Sequence, residues 1–123
     1  MNRLVVLGAV VAAAGITAGA FGAHALKAIL EPTALSVFET GVRYQMYHAF
    51  GILFAAWACE KLPNAKLEQV ACLFFAGIVL FSGSLYGVAL LGVRQLGMIT
   101  PFGGLAFILG WLLLGYRCWQ NKK

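Results

Sequence analysis

Four stretches of mostly apolar residues, Leu4 to about Ala23, about Gly41 to Cys59, Val70 to Leu91 and Gly97 to about Trp119, take up most of this 123-residue chain. A bilayer core about 30 Å thick needs roughly 20 such residues of helix to cross it. In hydrocarbon a lone segment satisfies its own backbone polar groups only as a helix. The sequence therefore predicts an all-α fold, an integral membrane bundle of four transmembrane helices forming one domain over residues 1–123. Between the runs lie a longer first connection, about His24 to Thr40, a short one, "EKLPNAKLEQ" (Glu60 to Gln69), and a tight one around "GVRQL" (Gly92 to Leu96). Pro63-Asn64 supplies turn chemistry, and Pro32 before "TALSVFET" reads as a helix start leading towards the second span. Connections this short make consecutive helices antiparallel neighbours.

Charge then sets the direction of threading. Charged side chains are 11% of the chain and Asp is absent, against roughly a quarter charged in soluble domains. The net charge of +5 comes from Lys and Arg scattered singly, without the basic stripe that nucleic acid needs, so no nucleic-acid partner is expected. The amino end, second connection and carboxyl end carry Arg3, Lys61, Lys66, Arg117, Lys122 and Lys123, whereas the first and third connections carry Lys27, Arg43 and Arg94. Positive charge collects on the cytoplasmic side, so both termini are expected in the cytoplasm and the chain in the plasma (cell inner) membrane, as a multi-pass protein. The first run also has the basic start and small-residue end of a cleaved signal peptide, but its length already suffices to span. Cys59, Cys72 and Cys118 have no metal-ligand spacing and read as buried thiols.

Apolar surface cannot drive helices together within lipid; close backbone approach and interhelical hydrogen bonds do. Gly8, Ala12, Gly15 and Gly19 place a small residue at nearly every turn on one face of the first span. "GSLYG" (Gly83 to Gly87) in the third span, and Gly103, Gly104 and Gly110 in the fourth, are further candidate seams. Thr17, Ser82, Ser84 and Thr100 read as packing hydroxyls.

The second span opens on a polar shoulder, "GVRYQMYHAF". Counting back about 20 residues from Cys59 draws Arg43, Gln45 and His48 into the outer part of the membrane. Arg43 is expected to snorkel outwards and pair with Glu39, one turn away, while His48 and Gln45 must find partners inside the bundle. His24, at the outer end of the first span, is the partner expected for them. The candidate site is a polar pocket facing outwards, drawn from His24, Arg43, Tyr44, Gln45, His48, Ser84, Tyr86 and Thr100. The competing reading is an interfacial belt in which Tyr44, Tyr47 and Arg43 sit among headgroups.

Other chemistries lack their residues. Two histidines without a third ligand do not make a structural metal site or facing haem ligands, so no metal and no cofactor are expected. A proton-coupled exporter needs a carboxylate in mid-span, and Glu31, Glu39, Glu60 and Glu68 all lie at or between the ends of the runs. Ser82 and Ser84 have no base and acid partners for hydrolysis, and the chain is not expected to be an enzyme.

The stretches "GAFGAHALK" (Gly19 to Lys27), "FETGVRYQMYHAF" (Phe38 to Phe50), "LFSGSLYGVAL" (Leu80 to Leu90) and "TPFGGLAFILGW" (Thr100 to Trp111) resemble the YgdD-type small membrane proteins, catalogued as a domain of unknown function and related to a eukaryotic group of small transmembrane proteins. The resemblance implies a four-helix integral membrane protein with an uncleaved first helix; it carries over no substrate, cofactor or catalytic residue. The expected function is support of membrane or envelope integrity through lipid or protein contacts. A small-molecule or lipid binder or transporter, using the polar pocket at the outer ends of the first two helices, is the alternative. Membrane lipids are the expected partners, with a homo-oligomer or a membrane-protein partner left open.

Overall fold

Proline and glycine decide where the helices stop. In the computed structural model, which describes residues 2–121, helix α1 (Asn2–Phe21) continues through a π-helical stretch (Gly22–Leu26) and a last turn (Lys27–Ile29). Lys122 and Lys123, which weigh in the charge count above, lie outside the described residues. A residue before proline is pushed out of the helical region, and Glu31, ahead of Pro32, is extended at φ −64°, ψ 154°. Helix α2 then runs over Pro32–Lys61 with Pro32 in its first turn. The expected first connection, His24 to Thr40, is therefore almost entirely helical, and the chain leaves the helix only around Leu30 and Glu31.

Helix α3 comprises Glu68–Gly77, a π-helical stretch at Ile78–Ser82, and Gly83–Leu91. It ends on Gly92 at φ 70°, whose N–H reaches the Val88 carbonyl, the left-handed stop that glycine takes without strain. A 3-10 turn (Arg94–Met98) leads into helix α4 (Thr100–Asn121), so the fourth helix proper begins at Thr100 rather than Gly97. Pro101 falls in its first turn, where its missing N–H is harmless.

Three of these helical rods are long and apolar enough to cross a membrane: Arg3–Ile29, Glu68–Leu91 and Arg94–Asn121. The chain is thus an all-α, multi-pass membrane bundle with at least three spans. The 30-residue α2 is about 45 Å long at 1.5 Å per residue, and its polar shoulder keeps it out of that apolar set.

The bundle interlocks by notch and knob. Along α1, Gly8 faces Leu53, Gly15 faces Met46, Gly19 faces Val42 and Gly22 faces Phe38: as one number rises the other falls, residue for residue, which is antiparallel register. A Cβ at Gly8 would lie 2.7 Å from Leu53, so the small-residue face of α1 is the α1–α2 seam. Aromatic rings fill the other notches: Phe74 enters both Gly51 of α2 and Gly110 of α4, Phe107 enters Gly77, and the Phe81 backbone lies against Gly103. "GSLYG" is not a helix seam. Gly83 is exposed with nothing within 4 Å of a Cβ, and Gly87 meets Leu96 from the connecting turn. The core of Ala49, Ile52, Ala55, Val70, Ala71, Phe74 and Phe107 sits where α2, α3 and α4 converge, with Val11 of α1 against it.

Candidate functional site

The α1–α2 register places the polar shoulder deeper than expected. His48 stands level with about Ala13 in α1, the middle of the first apolar run, and with Phe107 and Trp111 near the middle of α4. His24 stands level with about Val37, roughly 16 Å away from His48 along the axis at 1.5 Å per residue, and is exposed on its π turn. The structure therefore does not join His24 to Gln45 and His48. Counting back from Cys59 does not find the level of His48, because α2 runs helically on to Pro32 with no break at Thr40.

Gln45 is 7% exposed and bonds two other helices. Its Nε2 donates to the Val11 carbonyl of α1 at 2.9 Å, and its Oε1 accepts the Tyr86 hydroxyl of α3 at 2.5 Å. Gly15 makes this possible, since a Cβ there would lie 3.4 Å from the Gln45 Nε2. The orientation of the amide follows from its partners, because a carbonyl can only accept.

His48, 4% exposed, is pinned from both ring nitrogens. Nδ1 lies 2.8 Å from the Tyr44 carbonyl one turn back, and Trp111 Nε1–H donates to Nε2 at 3.0 Å. A carbonyl accepts and an indole donates, so these partners assign the neutral Nδ1–H tautomer. The imidazole lies flat on Phe107, ring centroids 3.5 Å apart and 7° between planes, with the Phe74 ring at its edge at 5.2 Å. A protonated ring would bring a second N–H against the Trp111 N–H.

Two serine hydroxyls add to this spine of interhelical bonds. Ser82 Oγ, fully buried, donates to the Gly41 carbonyl across α2–α3 at 2.6 Å. Ser84 Oγ bonds its own Phe81 carbonyl at 2.9 Å and meets Thr100 Oγ1 at the start of α4. At the terminal end, Arg117 donates to the Lys66 carbonyl and to Gln69 Oε1, tying α4 to the second connection. No buried side-chain polar atom among the described residues lacks a hydrogen-bond partner, and no group of three metal-ligating side chains occurs among them.

Of the eight predicted residues, Gln45, Tyr86 and His48 enter the spine, and Ser84 pairs with Thr100. Tyr44 offers its backbone carbonyl to that spine while its ring, 36% exposed, turns outwards against Phe81 with centroids 4.8 Å apart. Arg43 is exposed and, among the described residues, forms no ion pair with Glu39. Sequence reasoning missed Trp111 as the partner of His48. The signal was an indole N–H in mid-span, which must find an acceptor in lipid.

Beside the spine a groove of about 500 Å³ opens to the exterior between α2 and α4, its floor made by His48 and Phe107 and its walls by Tyr44, Tyr47, Ile108 and Trp111. Its surface is almost wholly apolar.

The chain matches the family described as "Protein of unknown function (DUF423)" over residues 18–104. It belongs to the DUF423 family. Among relatives, it is 44% identical over 115 residues to the UPF0382 membrane protein YwdK of Bacillus subtilis, covering 93% of this chain and 94% of that one. It is 46% identical over 114 residues to the UPF0382 membrane protein SSP2132 of Staphylococcus saprophyticus, covering 93% and 94%. A UPF0382 membrane protein of Haemophilus influenzae is 40% identical over 109 residues, covering 88% and 86%. No solved structure matches. The DUF423 region holds the whole Gln45–His48 shoulder, Ser82 to Tyr86 and Thr100, whereas Trp111 and Arg117 lie beyond it. The YgdD-type resemblance and the membrane assignment made from sequence both agree with these relatives.

Proposed function

We propose that this DUF423 protein is a non-enzymatic component of the plasma (inner) membrane, a single four-span domain with both termini cytoplasmic, which supports membrane or envelope integrity through lipid or protein contacts on its exterior. The observation that carries the reading is the complete internal pairing of the buried polar side chains among the described residues. Gln45, His48, Ser82 and Ser84 spend their hydrogen bonds on neighbouring helices and carbonyls, which is the behaviour of interhelical fasteners. What faces outwards is apolar: Val10, Ile16, Phe50, Phe102, Leu112 and Trp119 are each at least 60% exposed. The length of α2 and the pairing of its polar groups inside the bundle favour a fourth span; the six-to-three distribution of Lys and Arg favours cytoplasmic ends.

A strain lacking the gene is expected to show altered permeability to apolar dyes, altered stress tolerance or altered lipid composition. A strain unchanged in all three would count against the reading. Complementation separates it from a binder or transporter at the polar pocket: His24→Ala, which touches none of the spine, should complement fully, whereas a pocket function predicts loss of activity with the protein still abundant.

A further inference from the structure

We propose that the groove between α2 and α4 seats one anionic diacyl phospholipid from the leaflet away from the chain termini, with its phosphate on Arg43 and one acyl chain lying along Phe107 and Trp111. The inference rests on the lipid-contact reading above and names the lipid and its seat. Its first support is an unmatched charge. Arg43 lies five residues from mid-depth His48, about 7.5 Å along the helix axis, within the outer half of a core about 30 Å thick.

A cation within a span is retained where something pairs with it. Among the described residues nothing does: Glu39, one turn away, instead lines a separate cleft with Gly19, Phe38 and Val42. Side chains on a helix lean towards its N-terminus, which for α2 is the end away from the chain termini. Arg43 can therefore snorkel from its apolar surroundings to the phosphate level.

The second support is the alignment of that charge with the groove. Tyr47 lies one turn below Arg43, and helical neighbours four apart share a face. Tyr44 and Tyr47 are exposed, and neither hydroxyl has a partner among the described residues. From outside to midplane this face of the molecule thus carries the Arg43 guanidinium one turn beyond the groove, then two phenol hydroxyls at the groove wall, and then the half-exposed Trp111 ring beside the edge of Phe107. A phospholipid presents a phosphate, two ester carbonyls and then hydrocarbon in the same sequence. The volume of about 500 Å³ falls within the range of roughly 300–1,000 Å³ usual for ligand sites. Gly104 keeps the middle of the groove open, for a Cβ there would have its nearest neighbour, Phe81, at 3.9 Å.

Replacing Trp57 and Trp119 by Phe leaves Trp111, which lines the groove, as the single tryptophan. The full chain so altered is reconstituted in phosphatidylcholine vesicles carrying a minor fraction of phosphatidylglycerol or phosphatidylcholine brominated in mid-chain, and Trp111 quenching is read. Brominated phosphatidylglycerol should quench several-fold more strongly than brominated phosphatidylcholine. Arg43→Gln should make the two equal, Arg43→Lys should keep part of the difference, and Gly104→Leu should weaken quenching by both.

Equal quenching in the starting chain, or a preference that survives Arg43→Gln, overturns the phosphate contact. Unchanged quenching in Gly104→Leu overturns the seat of the acyl chain. Any of these results, alongside a deletion strain with an altered membrane, would remove this lipid site and leave the broader integrity reading standing.

Discussion

At Gln45 one side chain holds three helices, and its removal should show what that is worth. Gln45→Leu keeps the volume but strands the Tyr86 hydroxyl and releases the Val11 carbonyl. Membrane hydrogen bonds are worth about 0.6–2 kcal/mol each, so a loss of about 1–3 kcal/mol is expected in a reversible unfolding titration in mixed micelles. His48 and Trp111 invite a double-mutant cycle, because each residue can be replaced by Phe without opening a large cavity. A coupling of about 0.5–1.5 kcal/mol is expected if the Nε1–H to Nε2 bond is made in the membrane; additive single mutants would show that the two rings merely pack. Residue chemistry could announce that Gln45 and His48 need partners, but the partners, a backbone carbonyl on α1 and an indole 63 positions along the chain, depend on a register that composition does not state.

Between elements, glycines that look alike in sequence differ sharply in consequence. Gly103→Val puts side-chain atoms into the Phe81 backbone, which has no rotamer with which to yield, so α3 and α4 must part; overpacking of this kind costs typically about 1–3 kcal/mol. Gly83→Ala meets open space and should be neutral, or stabilise by up to about 1 kcal/mol through helix propensity. Thermal stability of the two variants in the same detergent checks both expectations, and equal destabilisation would refute the notch-and-knob packing. The stripe Gly8, Gly15, Gly19 was legible as a seam because its spacing repeats along one whole helix. "GSLYG" was misleading because two glycines one turn apart do not make a stripe: Gly83 faces open space and Gly87 meets Leu96 of the connecting turn.

For the molecule as a whole, apolar runs of membrane length reveal the class of fold, and their short connections reveal its order, because a bilayer leaves few alternatives. Depth was harder to read. The distance from Cys59 back to Thr40 matches a bilayer, yet α2 continues helically for a further eight residues to Pro32, so no loop marks where the membrane ends. Orientation has a direct check. With native cysteines replaced, a cysteine at Gln95, exposed in the third connection, should react with an impermeant maleimide in intact cells. One at Asn64, exposed in the second, should react only after lysis, and the reverse pattern would turn the protein over.

The polar shoulder of α2 also bears on how the chain enters the bilayer. Carrying Arg43, Gln45 and His48, α2 is a poor candidate to partition into lipid unaided, since each such group is penalised until it is paired. The glycine face of α1 and its Val11 carbonyl are synthesised first and offer Gln45 a partner before α3 exists. Insertion is therefore expected to proceed by helical hairpin: residues 32–61 alone in a glycosylation-tagged insertion reporter should be translocated past the membrane, and the same segment preceded by residues 1–31 should be retained. The glutamine that fastens the finished bundle would then also be the group that makes its second helix wait for its first.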